Sequence, residues 1–209
     1  MSQLYTSQPT VNRLLTIFSS LFHSATRPTR HLLAWLLIAQ LALESASSVR
    51  CLFRQFLSKQ TDASLNSYYR ALGNGLVTDA SIRRALTLRA LAIVPEALRQ
   101  EPILLSVDDT TIAKWGKHFD GVGILYDHAK HDGKSYFNGH AFVSLTMSVP
   151  VLHENAGKQQ IRYIAVPIGY VMSNGETSKL KLACQLLDEV MSILEKRQVI
   201  LLFDSWYAK

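Results

Sequence analysis

The chain has 209 residues, enough for one large or two small domains, and its 48% hydrophobic and 18% charged content excludes a disordered polyelectrolyte. Its longest apolar stretch, Leu32 to Leu43, is interrupted by Gln40 and is too short to span a bilayer, so no membrane partner is expected. The net charge of +6 is unevenly placed: residues 1–100 carry eleven Lys/Arg against four Asp/Glu (+7), and residues 101–209 come to −1. This asymmetry suggests a polyanion-binding part joined to a chemical part, with a basic surface kept for solubility as the plain alternative. Met1 to Asn12 has no basic start followed by an apolar run, so no secretory leader is expected. Cys51 and Cys184 lie far apart and match no metal spacing, which reads as two free buried thiols in a reducing, cytoplasmic compartment.

In sequence order, residues 1–10 read as a disordered start, and Val11 to His23 places Leu14, Leu15, Phe18 and Phe22 at helical spacing. Pro28 breaks that pattern, and a second helix runs from Arg30 to Glu44, apolar on most faces. A third spans Ser48 to Ser58 and a fourth Ala63 to Leu72, ended by a left-handed glycine in Gly73-Asn74-Gly75. Thr78 or Asp79 caps a fifth, Ala80 to Ala92, whose Arg83, Arg84 and Arg89 form a basic face. Two helices around a glycine turn, the second arginine-bearing, resemble a helix-turn-helix, a pattern that ordinary helix pairs also show. Pro95 and Pro102 bracket the domain junction, giving a helical, basic region at 1–98 and a second domain at 99–209.

After Pro102 the period changes from helical to alternating. Ile103 to Val107 reads as a strand, 112–138 as a long polar connection, Gly139 to Val149 and Ile161 to Met172 as two further strands. Ser173-Asn174-Gly175-Glu176 has the form of a capping box for a helix over Glu176 to Lys196. Gln198 to Phe203 is almost wholly apolar, as in a strand covered on both faces. The order is strand, strand, strand, helix, strand. A helical crossover allows the last strand to lie parallel to the first, which would bring Asp108 or Asp109 to the same sheet edge as Asp204. Aspartates beyond buried strands have fixed backbones and short side chains. Set side by side they repel, and a Mg²⁺ or Mn²⁺ relieves the repulsion. Two such ions can activate a water and stabilise a departing phosphodiester oxygen. The competing reading of each aspartate alone is a carboxylate that caps a turn, for which Asp109-Thr110-Thr111 is suited.

These residues carry a resemblance. Val107-Asp108-Asp109-Thr110-Thr111, followed by Lys114 and Gly116, resembles the first catalytic motif of DDE transposases of bacterial insertion sequences. Phe203-Asp204-Ser205-Trp206-Tyr207 resembles the second. The resemblance covers roughly residues 100–209. It implies an α+β fold, a helical bundle followed by a ribonuclease H-like mixed sheet. It also implies a two-metal Mg²⁺ or Mn²⁺ site, with Asp108, Asp109 and Asp204 as the catalytic candidates and Asp108 and Asp204 as the metal ligands. The Asp-small-Thr spacing favours Asp108, while relatives with an acid just before the catalytic aspartate favour Asp109. The implied partners are double-stranded DNA at the element ends and further copies of the same protein, on the nucleoid. The family's third acid, a glutamate on a later helix, has no counterpart before Lys209. The sheet is therefore expected to be incomplete, and the protein truncated at its C-terminus and inactive alone. Regulation of an intact transposase by DNA binding is the alternative.

Arg83, Arg84, Lys114 and Lys117 are the candidate DNA contacts. Trp115 suits base stacking, with packing in the core or an interface as the more ordinary role. His128 and His131 have metal-like spacing beside Asp127 and Asp132, but without a second ligand pair they read, with His118, His140 and His153, as exposed loop histidines.

Overall fold

A computed structural model describes residues 8–43, 48–115, 120–126, 135–155, 157–173, 175–194 and 196–204. Two compact units divide at Ala85/Leu86.

The first unit is helical: α1 (Gln8–Ser19) with a 3₁₀ turn at Ser20–Phe22, α2 (Arg27–Ala42), α3 (Val49–Leu52), a π turn at Phe53–Leu57, α4 (Ser58–Gln60), α5 (Leu65–Leu72) and the start of α6 (Asp79–Ala92). Pro28 does not stop α2. It sits in the first turn, where its missing N–H has no intrahelical partner to lose, so the helix begins three residues earlier than expected. Ser48 and Ser64 cap their helices by accepting the backbone N–H of Cys51 and Ser67. Thr78, not Asp79, caps α6: its Oγ1 accepts the Ser81 N–H while Ser81 Oγ accepts the Thr78 N–H. Gly73 ends α5 at φ −81°, without the left-handed conformation expected of it. The core gathers Phe22, Leu33, Trp35, Leu36, Leu57 and Tyr68, with Trp35 tilted on Phe56 and Phe53 edge-on to Tyr68. Cys51 is half-buried and Cys184 exposed, so neither is the buried thiol expected.

The second unit is a five-stranded mixed sheet with one long helix: β1 (Ile103–Ala113), β2 (Gly123–Tyr126), β3 (Tyr136–Asn155), β4 (Lys158–Ser173), α7 (Lys179–Leu194) and β5 (Val199–Phe203). The path is β2-β3-β1-β5, and β4 also pairs β3. β1 and β5 are parallel and joined across the α7 crossover, and the other pairs are antiparallel, which is the expected ribonuclease H-like arrangement. Alternation sets the core. Ile103, Leu105 and Val107 of β1 and Val143, Leu145, Met147 and Val149 of β3 are buried together with Leu182, Leu186, Val190 and Leu194 of α7. Each such side chain contributes about 1.5–3 kcal/mol of burial. Ala90, Val94 and Leu98 join this same cluster, so the residues between 86 and 98 pack with the sheet.

Several boundaries in this unit differ from expectation, and three of them bear on the site. β1 does not end at Val107. It continues through Asp108 to Ala113, paired residue by residue with β3 from Ser144 to Gly139. The β-branched run Thr110-Thr111-Ile112 favours that extended form. The loop expected at 112–138 therefore contains the end of β1, all of β2 and the start of β3. Gly139 lies where β1, β2 and β3 meet, and a Cβ there would fall 2.7 Å from the Ile112 carbonyl oxygen. The third difference is the start of α7, at Lys179. Gly175 has φ +81°, which ends any helical path from Ser173, and Ser178 Oγ instead accepts the Lys181 N–H as the cap.

Candidate active site

The β1–β5 register pairs Ile103 with Val199 and ends on Val107 with Phe203. The next residue on each segment is an aspartate, Asp108 and Asp204. Adjacent strands run about 4.8 Å apart, so the two aspartates follow neighbouring backbone positions of the parallel pair. Asp108 is exposed, and its Oδ1 accepts the Asp109 N–H at 2.8 Å. Its carbonyl accepts the Ser144 hydroxyl at 3.1 Å, which ties this point of β1 to β3. Asp204 is also exposed.

Asp109 is the neighbour with the opposite orientation. Successive strand residues point to opposite faces, so Asp109 shares the face of Val107 and Leu105, on which α7 packs. There it forms an ion pair with Lys179, both side chains being half-buried. This overturns Asp109 as the cap of a turn: no turn exists at Asp109-Thr110-Thr111, because all three are in β1. Lys179 was not singled out from the sequence, yet it left a signal. A lysine in the first turn of a helix opposes the macrodipole, and a carboxylate partner offsets that cost.

The candidate DNA contacts separate. Arg84 is exposed, whereas Arg83 is 5% exposed and does not offer its guanidinium to a phosphate. Burial alternates along α6 and the two adjacent arginines fall on different sides of it. Lys114 follows β1, with its N–H bonded to the Asn138 carbonyl at 2.9 Å, and its side chain is half-buried. Lys117 lies outside the described residues. Trp115 is 95% exposed, so it does not pack in the core of this chain. Trp206 and Tyr207 lie outside the described residues, as do His118, His128 and His131. His140 is a strand residue rather than a loop residue, with Nε2 2.9 Å from the Asp120 carbonyl oxygen. His153 is also in β3. Among the described residues no group of three or more His, Cys, Asp or Glu comes together, and no helix is long and apolar enough to cross a membrane.

Comparison with known proteins gives one family. No curated protein matches the chain. A family model described as "DDE superfamily endonuclease" matches residues 17–209, so the similarity extends through the helical unit and is not confined to the sheet. Members of this family act on DNA and generally use divalent metal ions, to which aspartates are chemically suited. With its ribonuclease H-like sheet and its match over most of its length, the chain belongs to the DDE superfamily of endonucleases.

Proposed function

We propose that this protein has the make-up of a transposase of a bacterial insertion sequence, with Asp108 and Asp204 as two of the three acids by which that family holds metal. The observation that carries the reading is the β1–β5 register, which ends one residue short of both aspartates. Two exposed carboxylates on neighbouring parallel strands suit a hard cation such as Mg²⁺ or Mn²⁺, whose remaining positions go to water and phosphate oxygens. When bound, the metal supplies Lewis-acid activation of a water and charge stabilisation at the scissile phosphate. The protein's own part is to hold the two carboxylates with little freedom. At Asp108 β1 does so by pairing with β3, one residue past its last pair with β5. Asp109 takes no part in ligation on this reading, because Lys179 neutralises it on the other face. Double-stranded DNA at the element ends is the proposed partner, met by Arg84 on α6 and by Lys114 and Lys117 beyond β1.

The test uses Fe²⁺ in place of Mg²⁺, with ascorbate and peroxide, so that hydroxyl radicals cut the polypeptide beside the bound metal. The reading expects cuts near residues 108 and 204 together, lost in Asp108→Asn and in Asp204→Asn and kept in Asp109→Asn. Cuts at one segment only, or insensitive to both substitutions, would contradict it.

A further inference from the structure

We propose that the cleft between α1 and the start of α2 is a phosphate-binding subsite through which the helical unit grips the DNA backbone. The proposal rests on the reading of the protein as DNA-acting and adds a site which that reading does not contain. The cleft has a volume of about 740 Å³, and its lining includes Thr16, Ser19, Ser20, Arg27, Arg30 and His31.

Its chemistry is one-sided. Residues 1–43 contain Arg13, Arg27 and Arg30 and no aspartate or glutamate, so the segment that builds the cleft supplies no counter-ion. Arg27 is exposed and makes no hydrogen bond or ion pair with the described residues. Arg30 is held differently. Its Nε donates to the Ala25 carbonyl at 2.6 Å and one Nη to the His23 carbonyl, which fixes the guanidinium plane and leaves the other Nη group for a ligand. His31 Nε2 accepts the Trp35 indole N–H at 3.1 Å, so the neutral ring carries its own proton on Nδ1 as a donor. The hydroxyls of Thr16 and Ser20 donate to the Asn12 and Ile17 carbonyls, which leaves Ser19 as the available hydroxyl donor. The first turn of α2 adds its partial positive charge, and the Thr26 hydroxyl does not cap it. Two guanidinium groups, one rigid and one adjustable, with neutral donors between them, match a phosphate: several acceptor oxygens, net negative charge, and geometry suited to the arginine fork. A phosphodiester of duplex DNA is the source proposed. Free inorganic phosphate shares the chemistry and is the alternative source.

The test uses the full-length protein in EDTA, titrated into a short fluorescent DNA duplex at several salt concentrations. Arg27→Gln is compared with Arg27→Lys and with Lys59→Gln, a substitution of equal charge on an exposed lysine away from the cleft. Arg27→Gln should weaken binding about tenfold. It should also reduce the log–log salt slope by about 0.9, the value for one phosphate. Arg27→Lys should restore most of both, and Lys59→Gln should move neither. In parallel, inorganic phosphate should shift the Trp35 indole N–H resonance of the wild type and not of Arg27→Gln, since that proton reports on His31. If DNA binds but Arg27→Gln behaves like Lys59→Gln, the cleft is overturned and the DNA reading survives. If DNA does not bind but phosphate shifts Trp35, the DNA source is overturned and a free-phosphate site remains. If neither ligand has an effect, both readings fall.

Discussion

Residues 8–43 of the helical unit hold three arginines and no carboxylate, while the middle of β1 and the residue after β5 in the sheet unit hold three aspartates, of which Asp109 pairs with Lys179. The two regions carry opposite charge and hold it in different ways. In the helical unit the charge is spread along helix surfaces and an open cleft, on side chains with long flexible stems. In the sheet unit it is concentrated on short side chains held by paired backbone. The contrast suits two tasks. Spread cations follow a polyanion whose phosphates can be met in many registers, and fixed carboxylates hold a small ion whose oxygens must be placed closely.

The largest expected effect separates the two cores. Leu57 in the helical unit and Leu186 in the sheet unit are both almost fully buried, and each sits in its own cluster. Leucine-to-alanine changes at such sites cost about 2–5 kcal/mol. Hydrogen exchange read by mass spectrometry should show Leu57→Ala loosening amides of residues 8–85 and Leu186→Ala loosening those of residues 86–204. Equal loosening of both regions by either change would break the division.

A smaller effect tests the compensated aspartate. Lys179→Met leaves the half-buried Asp109 without its cation and should destabilise the sheet unit by about 1 kcal/mol. The double variant Lys179→Met/Asp109→Leu should recover part of that loss in urea unfolding, because the stranded charge is removed. No recovery would mean that the pair does not carry the effect.

The smallest effect is alkaline and belongs to the helical unit. Burial raises the Tyr68 phenol above its ordinary value of 10.0, and its hydrogen bond with Thr61 only partly opposes this. In the unfolded state Tyr68 ionises near pH 10, whereas in the folded state it stays neutral to higher pH. Stability from this group is therefore fully present below pH 10 and falls as pH rises through and beyond that value. Tyr68→Phe should flatten this alkaline decline relative to wild type, at the cost of the Thr61 bond, about 1 kcal/mol. An unchanged slope in thermal unfolding between pH 9 and 11 would contradict the assignment.

Much of this contrast was legible in the sequence because it depends on local pattern. The apolar run Val199 to Phe203 announces β5, and the long helix before it announces a crossover and hence a parallel pairing. What was not legible came from pairing and from helix geometry. Asp108 to Ala113 carries too little apolar alternation to read as a strand, and it becomes one because β3 supplies a partner for each residue. Arg83 and Arg84 look equivalent in a basic helix until the turn of α6 buries one and exposes the other. Asp108 and Asp109 look interchangeable until the continued strand sends them to opposite faces. Lys179, four residues past a glycine turn, then decides which of them is already neutralised.

The most direct test of this account is manganese binding to the intact protein, followed by titration with electron paramagnetic resonance detection of free Mn²⁺. Wild type and Asp109→Asn should bind Mn²⁺ with similar affinity, and Asp108→Asn and Asp204→Asn should each lose that binding. Binding that depends on Asp109 and survives the loss of Asp108 or Asp204 would contradict the pairing of Asp108, within β1, with Asp204, just after β5.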